Sequence, residues 1–290
     1  ALAKKMEPIK ALLNADGTYG SIKTYGQTYA PLASSDESAD AKGMAFVQLD
    51  RALVERVNDL RAALTTLDEW NTKGEFAGRL DLQRIGVMGR SFGGMTTLAA
   101  LGLEDRFKAG VAVVPLVFPD FRAALPDSLL IGDEAETVLL NREGEVVLNK
   151  VHKPTLYLSG AEDSLIIGAG IRMAANFGGP IPSASNPHAV LRASYEASTL
   201  PVYWGLLNNS NHSSFGVSGG YWWPELKPNS QMRTFSPEQR FTLIAPQRAH
   251  DIQQDRVVTF FNAYLKEQEA DLQHLQENPF SADGFEYEFN

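Results

Sequence analysis

"RIGVMGRSFGGMTTL", residues 84–98, decides how the chain is read. A short apolar run ends at Gly89, Arg90-Ser91-Phe92-Gly93-Gly94 follows, and a helix-like pattern continues from there. Gly89 to Gly93 fits G-x-S-x-G, in which a serine stands on a strained turn between a strand and a helix and small residues let the two segments approach. As a bare pattern it arises by chance, and a glycine-rich loop is the plain alternative. The strand signal before it and the helix signal after it favour a nucleophile at Ser91. The helix would then aim its N-terminus at the reaction centre, with the backbone N–H of Phe92 supporting an oxyanion.

Buried-type strands and helices alternate around this stretch. Phe46, Leu49, Leu53, Val57, Leu60, Leu64 and Leu67 recur at three- and four-residue steps, which predicts one long amphipathic helix. "RIGVMG" is the first strand and "FKAGVAVVPLVF" (107–118) contains the second. "KPTLYLSG" (153–160) is the third, with Pro154 at its start, and "LPVYWGLLNN" (200–209) is the fourth. Further helices are expected over 95–103 and 251–267. Such alternation predicts an α/β fold with a parallel-type sheet covered by helices on both faces.

Between these elements the signals are weaker. Residues 1–43 read as a short helix (1–14) and a Gly/Ser/Thr-rich connector, with the main domain over 44–290. Residues 119–150 suggest a hairpin or helical excursion, and 164–198 a short helix with a long insertion. Residues 276–290, ending in "SADGFEYEFN", read as an acidic tail, mobile or docked late.

Composition narrows the function classes. The chain has 290 residues, 44% hydrophobic and 21% charged, with a net charge of −9, which fits one large domain and disfavours a nucleic-acid partner. No apolar run approaches the roughly 20 residues of a membrane-spanning helix. Without cysteine there is no disulfide and no thiolate metal site, although this does not fix the compartment.

Chain order supplies candidate partners for Ser91, because in this architecture an acid and then a histidine follow on loops after later strands. "PTLYLSGAEDSL" offers Asp163, with Glu162 as the local alternative; either would also serve as a cap for the next helix. Of the five histidines, His152 precedes its strand and so lies at the wrong edge. His188, His250 and His274 are most simply surface or capping residues. His212, in "LLNNSNHSSFG", follows the fourth strand and comes after Asp163, as a general base would. Trp222 and Trp223 in "YWWPEL", Phe118, and Arg90 beside the serine are candidate substrate-pocket residues.

At these residues the chain resembles α/β-hydrolases, most nearly the platelet-activating-factor-acetylhydrolase-like and dienelactone-hydrolase-like esterases. "FVQLDRALVERVNDLRAAL", "IGVMGRSFGG", "EDRFKAGVAVVPLVFP" and "NHSSF" carry the likeness. It implies a serine ester hydrolase that works through an acyl-enzyme, needs no cofactor or metal, and acts on a small-molecule, lipid or polyester-type ester. The sequence departs from the family in two ways. Arg90 stands where the elbow usually has His. In addition, acetylhydrolases of this type take their acid after the strand next to the elbow strand, where this chain has Val113 and Val114 and no carboxylate before Asp120. Asp163 is therefore the expected acid and Asp120 the reserve.

The resemblance also implies strands before the serine's own, one of which leads to a second oxyanion N–H. None is legible in residues 1–43. Three explanations compete: a cleaved precursor whose other piece stays bound, a rebuilt fold using the Tyr19-Gly20 or Tyr25-Gly26 region, and a sequence that covers only part of the protein. The first is preferred, and it implies a second polypeptide of roughly 100 residues or more supplying several strand–helix units.

Overall fold

The structure is a computed structural model and describes residues 39–216 and 230–290. The expected helix over 1–14, the two Tyr-Gly pairs, Trp222 and Trp223 lie outside the described residues.

Helix α1 (Ala39–Thr72) leads into β1 (Ile85–Arg90), α2 (Phe92–Leu103) and β2 (Phe107–Val113). Then come β3 (Thr155–Gly160), α3 (Ser164–Phe177), α4 (Ala189–Glu196) and β4 (Val202–Leu207). A short hairpin, β5 (Ser230–Met232) and β6 (Arg240–Thr242), precedes α5 (Pro246–Lys266), α6 (Glu269–Leu275) and β7 (Phe285–Phe289). The main sheet has the order β1-β2-β3-β4-β7. Its first four strands are mutually parallel, and β7 is antiparallel to β4.

Period-2 alternation sends the strand side chains into two separate cores. Val87, Ala112, Tyr157 and Trp204 join α1 and α2 through Phe46, Leu49, Leu53 and Leu98. Val111, Val113, Leu156, Leu158 and Tyr203 join α5 through Ile252 and Phe260. The fold is thus the expected α/β-hydrolase type, a parallel sheet between helical layers. No described helix is long and apolar enough to cross a membrane.

Four sequence expectations need correction. Helix α1 begins at Ala39, inside the expected connector, because "ADAKG" continues a pattern already helical. Residues 164–198 are the crossover from β3 to the parallel β4, with α3 and α4 in it, rather than an insertion. Residues 119–150 contain short 3-10 turns and one bridge, between Ile131 and Asn141. The acidic tail ends in β7, whose charges are partnered: Glu288 accepts two bonds from Arg192, at 2.6 and 2.9 Å, and Glu286 accepts one from Asn208. Phe285 meanwhile faces the core. A fully buried Arg256 helps to hold this end, bonded to Asp255 and the carbonyl of Glu277, with its guanidinium 5.1 Å from the Tyr287 ring.

Strand β1 is unlike the others. Among the described residues it pairs only with β2, and Met88 is 43% exposed where β3 is buried throughout. Val258 of α5 is also exposed, one turn from Phe261, which packs on Gly86 of the same strand.

A buried carboxylate ties α1 to the loop before β3. Asp50 Oδ1 accepts from Thr137 Oγ1 (2.8 Å), Val138 N (2.9 Å) and Leu139 N (2.7 Å). Burial raises the Asp50 carboxyl above its ordinary range, against the lowering effect of those donors. Its linked contribution to stability is therefore fully present below the unfolded carboxylate value and is lost as pH rises through the raised folded value. One oxygen takes all three bonds, so an amide can replace it. In urea unfolding at neutral pH, Asp50→Ala should lose about 2–4 kcal/mol and Asp50→Asn no more than about 1. Asp50→Asn should also flatten that pH dependence.

Candidate active site

Because β1 to β4 are parallel, their carboxyl ends lie along one edge, and the three sequence-predicted residues follow three of those ends. Ser91 is the residue directly after β1. Its φ of 59° and ψ of −120° are strained for a side-chain-bearing residue. The turn is held by Ser91 N–H donating to Val113 O (2.9 Å) and by Met95 N–H donating to Ser91 O (3.1 Å). Phe92 opens α2, so its N–H lies in the first helical turn beside the serine.

Asp163 and His212 meet on the same edge. His212 Nδ1 donates to Asp163 Oδ2 at 2.8 Å, and the carboxylate is fully buried. The other oxygen, Oδ1, accepts from Ile166 N at 3.2 Å and so caps α3. One oxygen thus serves the histidine and the other the helix cap. With Nδ1–H committed, the lone pair of the imidazole is on Nε2, the nitrogen a general base uses.

The loops carrying these two residues are stitched together. Ala161 N–H donates to Leu207 O and Glu162 N–H to Ser210 O. His212 opens a 3-10 turn (His212–Phe215) capped by Asn211, whose side chain accepts from Ser213 N while Ser214 Oγ accepts from Asn211 N. Ser91 Oγ makes no hydrogen bond to His212 in this structure. Catalytic contacts of this kind often close only around substrate.

The other candidates lie elsewhere. Glu162 is bound to Arg233 Nη1 (2.6 Å) and Thr234 N (2.7 Å), not to the imidazole. Asp120 pairs with Arg122 and borders a cavity of about 230 Å³ between residues 145–151 and 194–199, the segments leading into β3 and β4. That is the opposite edge of the sheet from His212. Phe118 is 1% exposed and packs edge-on to Phe46 at 5.9 Å, a core residue rather than a pocket wall. Arg90 donates from Nη2 to the main-chain oxygen of His212, so it too is no simple pocket residue.

Two supporting residues have little or no signal in the sequence. His188 is buried, with Nε2 2.9 Å from Gly160 O at the start of the acid loop, and burial lowers its basicity. Its setting, "NPHAVL", has an apolar flank that hints at burial. Arg233 on the hairpin has no spacing signal at all.

Parts of the chain are similar to known proteins. Residues 59–130, which include the elbow, match the prolyl oligopeptidase family. A 58-residue segment is 34% identical to platelet-activating factor acetylhydrolase from Cavia porcellus, covering 19% of this chain and 13% of that protein. Among solved structures, a ferulic acid esterase from Streptomyces cinnamoneus aligns with 17% identity and a TM-score of 0.49, over 82% of this chain and 55% of that one. The chain thus spans little more than half of that structure's length.

The elbow glycines differ in what they permit. A Cβ on Gly89 would lie 2.1 Å from Gly93 O, whereas one on Gly93 would meet nothing within 4 Å. The G-x-S-x-G pattern suggests that both are obligatory, but only Gly89 is sterically required. Gly89→Ala should therefore lose more than about 3 kcal/mol in urea unfolding, while Gly93→Ala should keep parental stability or gain up to about 1 kcal/mol from helix propensity.

The strand order and the elbow are of the α/β-hydrolase type, and over parts of its length the chain resembles serine hydrolases.

Proposed function

We propose that the protein is a serine carboxylic ester hydrolase that works through an acyl-enzyme. Ser91 Oγ attacks the ester carbonyl and His212 Nε2 takes its proton. Asp163 holds the tautomer and supports the imidazolium, and Phe92 N–H faces the developing oxyanion. Collapse of the tetrahedral species expels the alcohol, which receives the proton from His212. Water then repeats the sequence on the acyl group. The reading rests on one observation: a fully buried carboxylate bonded to His212 Nδ1 on the sheet edge where a strained serine follows β1. The acetylhydrolase match supports acyl ester chemistry.

Peptide-bond hydrolysis is the second reading, favoured by the prolyl oligopeptidase match over 59–130. Thioester or lactone hydrolysis would use the same residues, and a non-catalytic binding role would leave them idle.

A fluorophosphonate probe should label the protein at Ser91 and fail on Ser91→Ala; failure on the parent would sink the enzyme reading. Nitrophenyl esters of increasing acyl length should be turned over faster than prolyl anilides, and the reverse order would favour a peptidase. Ser91→Ala and His212→Ala should each lower kcat by about 10⁴-fold or more.

The side of β1 that pairs with no strand among the described residues bears on the same chemistry. In this reading it receives a strand of a second polypeptide, which also brings the second oxyanion donor. Native mass measurement of the active assembly should reveal that polypeptide. A monomeric, fully active chain would remove the need for it.

A further inference from the structure

We infer that Arg90 is a positioning residue for the general base, fixing the His212 loop to the elbow strand. The inference rests on the roles proposed for Ser91 and His212.

Arg90 is bonded in sequence to the nucleophile and in space to the base. It ends β1 next to Ser91, and its Nη2 donates to the carbonyl oxygen of His212, 122 residues away. The guanidinium also packs on Gly216, just past the His212 turn, where a Cβ would lie 3.2 Å from Arg90 Cζ. Among the described residues the Arg90 Nε–H is buried and meets no acceptor. Leaving a donor unmet is unfavourable. Burial also works against the guanidinium's charge, and the attraction of Asp163 supports it. The side chain is thus held at this junction by the loop it braces.

The test compares parent, Arg90→Lys, Arg90→Gln and Arg90→Met by ester kinetics, with the His212 Nδ1–H proton followed by NMR without substrate. Arg90→Met should lower kcat by about 10- to 100-fold while KM changes less than about 3-fold. Its Nδ1–H resonance, sharp in the parent, should broaden as the loop loosens. Arg90→Lys should recover only part of kcat, because it keeps a donor without the planar fork. Unchanged kcat and resonance, or a loss confined to KM, would overturn the inference. Should Arg90→Met not fold, Arg90→Gln, whose donor is shorter, reads the same loss. The NMR arm needs no turnover. A broadened resonance in a protein inert to esters would sink the esterase reading alone, and an unchanged one would sink the role of Arg90.

Discussion

The Asp163 carboxylate has two oxygens and no access to water, and the edge of the sheet is arranged around what each must accept. Oδ1 takes an amide of the first turn of α3, and Oδ2 takes the imidazole of His212. A buried carboxylate is tolerated only when its oxygens are met by donors, and this one is met by a helix start on one side and a histidine on the other. Around it, the β3 and β4 loops exchange backbone bonds, Glu162 reaches out to the hairpin, and His188 approaches Gly160. The acid and base loops therefore behave as one unit. The elbow is a second unit, joined to the first through the β2 ladder and through Arg90.

Much of this arrangement is legible in the amino-acid order. The four parallel strands are continuous apolar runs, as strands covered on both faces must be, and the heptad-like spacing of Phe46 to Leu64 fits only a helix. With the strands placed, chain order points to Asp163 and His212 without any knowledge of distance. Strand β7 is obscured by its glutamates. The alternation Phe285-Glu286-Tyr287-Glu288-Phe289 is a strand pattern, yet the donors Arg192 and Asn208 that meet its glutamates lie far away in sequence, which local reading does not see. Phe118 misleads for the opposite reason: a phenylalanine after a strand looks the same whether it lines a pocket or stacks in a core. Arg233 and the Arg90 carbonyl contact depend wholly on tertiary placement and have no signature in spacing.

The strained serine shows how local and global demands meet. Its left-handed backbone is disfavoured alone and is retained because the ladder to Val113 and the first turn of α2 fix both of its neighbours. Gly89 lets the chain fold back on itself there, and nothing equivalent is asked of Gly93.

The position of β1 at one margin of the described sheet has a further consequence. Among the described residues, the strand before His212 lies between β3 and β7, whereas the strand before Ser91 is gripped by hydrogen bonds from β2 alone. Opening energies within a fold rise with the contacts a segment must break. In the chain without the proposed second polypeptide, amide exchange should thus be graded across the sheet, slow at β3 and β4 and faster along β1. The acid–base pair would then belong to the deepest cooperative unit and the nucleophile to a shallower one, so that under mild denaturant the serine would leave its place while the rest of the edge was still folded.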